Sequence, residues 1–196
     1  MTRAFVRLLL ALVFAAAAAA HAQPATYEID PEHFSVGFLV DHIGYAKVLG
    51  LFQKAGGSFT FDEKAGSLSD VRITIDAASV FTGHRKRDEH LRSADFLNAV
   101  EFPRIVFRGT GAKRSGERTF VVEGQLEMLG KAQPVAVNLT WNKSGPYELP
   151  GPRAYVMGAS GRASFKRSAF GMSYAVANGW VGDDVDLILE FEARRK

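Results

Sequence analysis

Cysteine occurs nowhere in the 196 residues. Its absence excludes a disulfide framework, a Cys-ligated zinc, covalent c-type haem, a catalytic thiol and a lipid anchor on an N-terminal cysteine. Two common catalytic and nucleotide-binding signatures are missing as well. No G-x-G-x-x-G turn joins a strand to a helix, and no G-x-S-x-G nucleophile elbow appears. Beyond residue 20, no stretch approaches the ~18 apolar residues of a membrane-crossing helix. The chain also lacks an internal repeat of about 20–50 residues and any low-complexity linker. At 47% hydrophobic and 23% charged residues, its composition is that of one globular domain with a real core.

The first residues read as an address. Arg3 and Arg7 precede an unbroken apolar run, Leu8 to Ala20, which ends in Ala20-His21-Ala22. A positive n-region, a short h-region and an A-x-A site make a secretory signal peptide over residues 1–22. The run is too short to cross a bilayer as a helix, which takes roughly 20 residues. Removing Arg3 and Arg7 takes Lys+Arg from 24 to 22 against 21 Asp+Glu, so residues 23–196 carry about +1. Without a net basic field, nucleic acid is excluded as an expected partner. Export without cysteine fits a bacterial periplasm, which is the expected location.

What the rest of the chain has is period-two alternation, the pattern of strands with one buried face. Phe34, Val36, Phe38 and Val40 form one such set, and Val71, Ile73 and Ile75 another. Val122, Gly124, Leu126 and Met128 follow, then Val135, Val137, Leu139 and Trp141, and finally Val185, Leu187, Leu189 and Phe191. Weaker strands lie near 46–61, 102–111 and 154–165. Turn signals at Asp62–Gly66, Ser115-Gly116, Leu129-Gly130-Lys131 and Ser144-Gly145-Pro146 make the neighbours antiparallel hairpins. About eight strands make a sandwich or a closed barrel, and only closure removes every sheet edge. From Gly83 to about Asn98 the residues favour a helix instead, with Asp88 and Arg92 spaced to pair. One helix there would cap an open barrel end.

Chemistry-bearing residues are sparse. After removal of the leader the histidines are His33, His42, His84 and His90, and the six-residue spacing of the last two does not suit an H-x-x-x-H zinc pair. Neither a metal nor a cofactor is expected. Ser35 lies near His33 without an orienting carboxylate, and Asp88 and Glu89 are adjacent and point apart, a poor geometry for paired carboxylate catalysis. Nothing in these residues commits the chain to an enzymatic reaction; binding, which the resemblance given below implies, is the expectation. An enzyme acting on a lipid or quinone, with His42 or His90 as general base, is the alternative. An eight-stranded outer-membrane barrel is a further rival, since alternation does not say which face is inside.

Ile29-Asp30-Pro31-Glu32-His33-Phe34-Ser35-Val36-Gly37-Phe38 resembles the first strand of the YceI-like, polyisoprenoid-binding family. His42 and Val48-Leu49-Gly50-Leu51-Phe52 continue the likeness. So do Ser79, Thr82, Arg87-Asp88-Glu89-His90-Leu91, Ser93-Ala94-Asp95-Phe96, Phe102-Pro103, Gly124-Gln125-Leu126-Glu127-Met128 and Phe170-Gly171. The resemblance spans 26–195 and implies an all-β fold: an eight-stranded, antiparallel, lipocalin-like barrel over 23–196 with a capping helix. It implies a periplasmic protein that holds an isoprenoid or other long-chain lipid, such as a polyprenol or isoprenoid quinone, inside the barrel. The membrane would be met only transiently for lipid exchange, and some such proteins are homodimers. One position departs: Ala169 stands where relatives commonly read Asp in Arg-x-Asp-Phe-Gly.

The faces expected to line a channel are Phe34, Val36, Phe38, Val40, Val71, Ile73, Ile75, Val122, Leu126 and Met128, with Val137, Leu139, Trp141, Leu187 and Leu189. Gly37, Gly50 and Gly124 remove bulk along strands, which marks bends or room for a guest. A ten-residue strand of ~33 Å, tilted by about 40°, gives a continuous channel of roughly 25 Å, long enough for about 20 chain carbons.

Overall fold

The computed structural model describes residues 24–150 and 154–196, so the expected signal peptide lies outside the described residues. The strands are β1 (Ala25–His42), β2 (Ala46–Phe52), β3 (Ala55–Asp62), β4 (Ser67–Asp76), β5 (Val80–Phe81), β6 (Arg104–Arg114), β7 (Thr119–Met128), β8 (Lys131–Pro146), β9 (Tyr155–Lys166) and β10 (Val181–Arg195). Among the described residues a single α-helix, α1 (Arg85–Arg92), sits in the connection between β4 and β6, and 3₁₀ turns follow β4 and β9.

Eight strands form a closed antiparallel barrel in the order β1-β3-β4-β6-β7-β8-β9-β10, and the β10–β1 pairing shuts the ring. β2 and β3 divide the other edge of β1 between them. β3 pairs with its first residues, Ala25–Glu28, and β2 with Val36–His42. The two-residue β5 then pairs with β2. Alternation explains the ladder: on β7, Phe120, Val122, Gly124, Leu126 and Met128 are buried, while Glu123, Gln125 and Glu127 are exposed. A slip of one residue would turn that whole face to water, so the register is firmly set. Leu129 and Gly130, both at positive φ (52° and 69°), form the two-residue turn between β7 and β8. That primed geometry matches the strand twist.

Two local expectations are corrected. Ser144-Gly145-Pro146 is not a turn; after a register shift beyond Trp141 these residues pair with Met157, Val156 and Tyr155 as the end of β8. Period and pairing with β9 outweigh the Gly-Pro signal, and Pro146 lies at the strand terminus, where a missing N–H is tolerated. The helix is also shorter than 83–98. Ser93 turns to an extended conformation, and Asn98 sits at φ 42°, so 93–103 runs as a series of turns. Leu91 and Leu97 still point to the interior from those separate pieces.

The two ends of the barrel differ. At the end formed by the β3–β4, β6–β7 and β8–β9 connections the interior is solid. Tyr27 stacks on Phe59 at 5.4 Å, and Phe61 meets Phe120 and Trp141 edge-on at 5.9 and 5.2 Å. Glu63 seals it, accepting hydrogen bonds from the Tyr27 hydroxyl (2.8 Å), the Ser144 hydroxyl (2.8 Å) and the Tyr155 hydroxyl (2.9 Å). The opposite end carries α1 and the loop 171–180, and there the barrel is hollow.

Candidate functional site: an apolar cavity under the helix

A cavity of about 380 Å³ occupies the helix end. Strands β1, β2, β4, β6, β7 and β10 supply its walls, α1 and Phe96-Leu97 cover it, and Ile43, Tyr174 and Trp180 stand at its rim. Its size falls in the lower part of the ~300–1,000 Å³ range of small-molecule sites. Further along the axis lies a separate void of about 50 Å³.

The residues expected to face the interior divide between these spaces. Val36, Phe38, Val40, Ile75, Leu126, Met128 and Leu187 line the cavity. Phe34, Val71, Ile73, Val122, Val137, Leu139 and Leu189 line the small void. Trp141 lines neither; it packs on Phe61, with the Arg118 guanidinium 5.6 Å from its ring. The expected continuous channel is therefore corrected to a chamber, a partition, a small void and a solid end. Gly124 shows the cause. It lies between Leu126 of the cavity and Val122 of the void, and the Phe107 ring occupies the place a Cβ would take there. Gly50 is covered in the same way by its cross-strand neighbour Phe38. These glycines make room for the protein's own rings, an arrangement in which an aromatic shields backbone left bare by glycine.

Residues missed from the sequence include Phe52, Leu91, Phe96, Ile105 and Phe165. The alternation Val48-Gly50-Phe52 was visible on β2; Leu91 and Phe96 come from turns and a short helix, where no strand period guides the eye.

Arg167 is the principal polar group of the wall and is 2% exposed. Its Nε donates to Gly182 O (2.7 Å), Nη1 to Met172 O (2.9 Å), and Nη2 to Tyr174 O (2.8 Å) and Val181 O (2.9 Å). A guanidinium has five N–H donors, so these bonds leave one Nη1 hydrogen without a protein acceptor among the described residues. Burial pushes its pKa down, opposed by the Asp183 charge. Asp183 supplies the carboxylate of this corner: it accepts from the Ser168 amide (2.9 Å) and hydroxyl (2.8 Å), beside Ala169. Burial pushes the Asp183 carboxyl up, but those bonds and the nearby Lys166 and Arg167 hold it below the usual value.

His42 also lines the cavity, with no side-chain hydrogen bond among the described residues, whereas other polar groups there are engaged. His90 Nε2 lies 2.8 Å from Asp95 Oδ2, and its ring meets Phe96 and Tyr174 edge-on at 4.9 and 5.0 Å. Arg87 donates to the Thr82 hydroxyl (2.7 Å) and carbonyl (3.0 Å). The buried Asp88 accepts from the Thr82 amide and hydroxyl, which fastens α1 to β5. The arrangement can enclose an apolar segment and offer it one buried cationic donor.

Residues 27–193 match the model of the YceI-like domain. A "UPF0312 protein" of Azotobacter vinelandii is 36% identical over 189 residues, covering 95% of this chain and 96% of its own. The crystal structure of Burkholderia cenocepacia BcnA superposes with a TM-score of 0.74 at 23% identity, covering 84% of this chain and 98% of that one. A polyisoprenoid binding domain from Saccharophagus degradans, implicated in plant cell wall breakdown, gives a TM-score of 0.66 at 11% identity, covering 89% of this chain and all of that one.

Proposed function

The chain belongs to the YceI-like family, and from that premise we propose that it binds a long apolar lipid of isoprenoid type, a polyprenol or isoprenoid quinone, as a reversible carrier. The observation that carries this reading is the cavity of about 380 Å³ walled by Val, Leu, Ile, Met and Phe side chains. The polyisoprenoid binding domain of similar fold supports the choice of ligand class. The leader over 1–22 supports a periplasmic location, and lipid exchange with a membrane follows from the cargo.

Magnitudes favour partial burial of the lipid. At ~30 Å³ per small buried group, about 380 Å³ takes roughly a dozen chain carbons. At ~0.8 kcal/mol per methylene, removing them from water is worth about 10 kcal/mol, against association costs of roughly 4–15 kcal/mol. A bilayer solvates the same carbons about as well as Phe and Leu do, so transfer from membrane to barrel is close to balanced. That balance suits a carrier. The free Nη1 hydrogen of Arg167 suits an oxygen on the lipid, such as a quinone carbonyl. Binding rather than catalysis is the reading preferred, because His90 is held by Asp95 between two rings and His42, though in the lining, has no side-chain hydrogen bond among the described residues to orient it.

Mass spectrometry of an organic extract from the purified native protein tests this. An isoprenoid lipid is expected at up to one per chain, released unchanged. Phe38→Asp, which places a carboxylate in the wall, is expected to abolish uptake or folding. Full uptake by a folded Phe38→Asp protein, or steady turnover of the extracted lipid, would overturn the proposal.

A further inference from the structure

The exposed large apolar side chains are distributed unevenly. Ile43, Tyr45, Leu49, Leu51, Phe81, Val100, Tyr174 and Trp180 all lie on the half that holds the cavity, whereas Leu149 alone lies at the sealed end. Three of them form a tip beside the cavity mouth. Tyr45 is 89% exposed, Trp180 58% and Ile43 48%, and the Ile43 amide donates to Trp180 O (3.2 Å), which ties the two loops together.

Ile43 has φ 55°. A β-branched residue in the left-handed region is a true outlier, where Gly or Asn would be unstrained. Asp41 holds the turn by accepting from the Gly44 amide (2.8 Å). The turn thus bears strain at a residue whose side chain stands in water. Strain of this kind, retained at an exposed apolar side chain, is a mark of function rather than of folding.

We propose that this tip, Ile43, Tyr45 and Trp180, is where the protein docks on a lipid bilayer, with the cavity mouth facing the membrane. The inference rests on the lipid-carrier reading above. Trp and Tyr are suited to the headgroup region, having an apolar body and a polar handle. Two cations on the same rim suit anionic headgroups. Arg87 lines the mouth and gives its hydrogen bonds to Thr82, while Lys86 is exposed beside it; neither has a carboxylate partner among the described residues. Of the nearby acids, Glu89 pairs with Arg85 and Asp95 with His90, whereas Asp41 and the buried Asp88 accept from uncharged groups and keep their charge. A bilayer is favoured over a second copy of the chain because the mouth opens inside the patch. A lipid passing there would enter the cavity without crossing water.

The chain has two tryptophans, so a Trp141→Phe background makes Trp180 the sole reporter. With vesicles of phosphatidylethanolamine containing a minority of phosphatidylglycerol, Trp180 emission is expected to shift to the blue and to be quenched by brominated lipid. Ile43→Ser, Tyr45→Ser and Trp180→Ser combined are expected to slow vesicle-to-protein lipid transfer tenfold or more. Tyr45→Ser alone, at a residue outside the cavity lining, should also slow transfer while holding as much lipid as the parent when lipid is delivered in detergent. Ile43→Asn relieves the strained turn, so it should raise the melting temperature and slow transfer together. Absence of a Trp180 shift, or transfer by the triple variant at the parent rate, would overturn the docking surface. Docking by a protein that takes up lipid from neither source would overturn the carrier reading and leave the surface standing.

Discussion

The two ends of this barrel are built from the same strands and have opposite fates. At the sealed end, Tyr27, Phe59, Phe61, Phe120 and Trp141 fill the bore, and Glu63 gathers three hydroxyls across it. At the mouth, Val, Leu, Ile, Met and Phe side chains face one another across a space they do not span, and a helix covers it. The difference does not lie in hydrophobicity, since both halves alternate in the same way. It lies in the summed volume of each ring of inward side chains. Interiors normally pack to near-crystalline density, so the void of about 50 Å³ is a small defect and the space of about 380 Å³ is room for a guest. Phe107, folded over Gly124, marks the boundary.

The comparison is broken most directly at that boundary. Phe107→Ala is expected to merge the cavity with the void of about 50 Å³, and to cost about 3 kcal/mol, the low side for such a truncation. Urea denaturation reads the loss, and extracts of the variant are expected to contain longer or more fully enclosed chains. A folded variant with unchanged cargo length would show that the partition is not the limit.

The sealed end can be loosened without touching the cavity. Glu63→Gln leaves the shape and removes the charge, which should cost about 1–2 kcal/mol and leave lipid uptake at the parent level. Burial and the bond to Glu63 together push the Tyr27 phenol up. Spectrophotometric titration of the variant should therefore find Tyr27 ionising at lower pH than in the parent. Reduced lipid uptake by this variant would mean that the two ends are coupled.

The smallest effect concerns the seam where β1 meets β10. Residues between Ile29 and Phe34 leave the ladder there, and Asp30 holds them by accepting from the Glu32 amide (3.1 Å) and from Arg194 (2.9 Å), with His33 Nδ1 at 3.1 Å. The bond to Asp30 raises the His33 pKa above 6.5. The stabilisation is fully present below 6.5 and is lost as pH rises through the raised folded-state value. Burial pushes Asp30 up, but the His33, Arg194 and Glu32 bonds outweigh it and hold the carboxyl below 3.8. Its own contribution is present above 3.8 and fades as pH falls through the depressed value. A His33→Gln protein should thus melt below the parent in mildly acidic buffer, and the gap should close in alkaline buffer. A gap that persists at high pH would assign the effect to packing.

Much of the fold was legible because a strand with one buried face writes a period of two into the sequence. β7 is the clearest case, its inward row running from Phe120 to Met128 without interruption. The inward orientation of Phe34 through Val40 and of Leu187 and Leu189 was legible for the same reason. Which of those residues would border empty space was not. That depends on how side chains of neighbouring strands fold over one another, as when Phe107 of β6 covers Gly124 of β7, and on what stands across the bore, where partners are distant in sequence. Arg167 was seen only as part of a motif, because its acceptors, Met172, Tyr174, Val181 and Gly182, come from a loop and a strand start with no periodicity.

The ladder of β1 and β10 has a practical corollary. Tyr27 lies opposite Arg195, and the Lys196 amide donates to Thr26 O (2.9 Å), at the sealed end. An affinity handle, fluorophore or surface tether fused after Lys196 would thus hang from the base of the barrel and leave its opening unobstructed. Immobilised through such a handle, the protein would present its opening to whatever vesicle flows past.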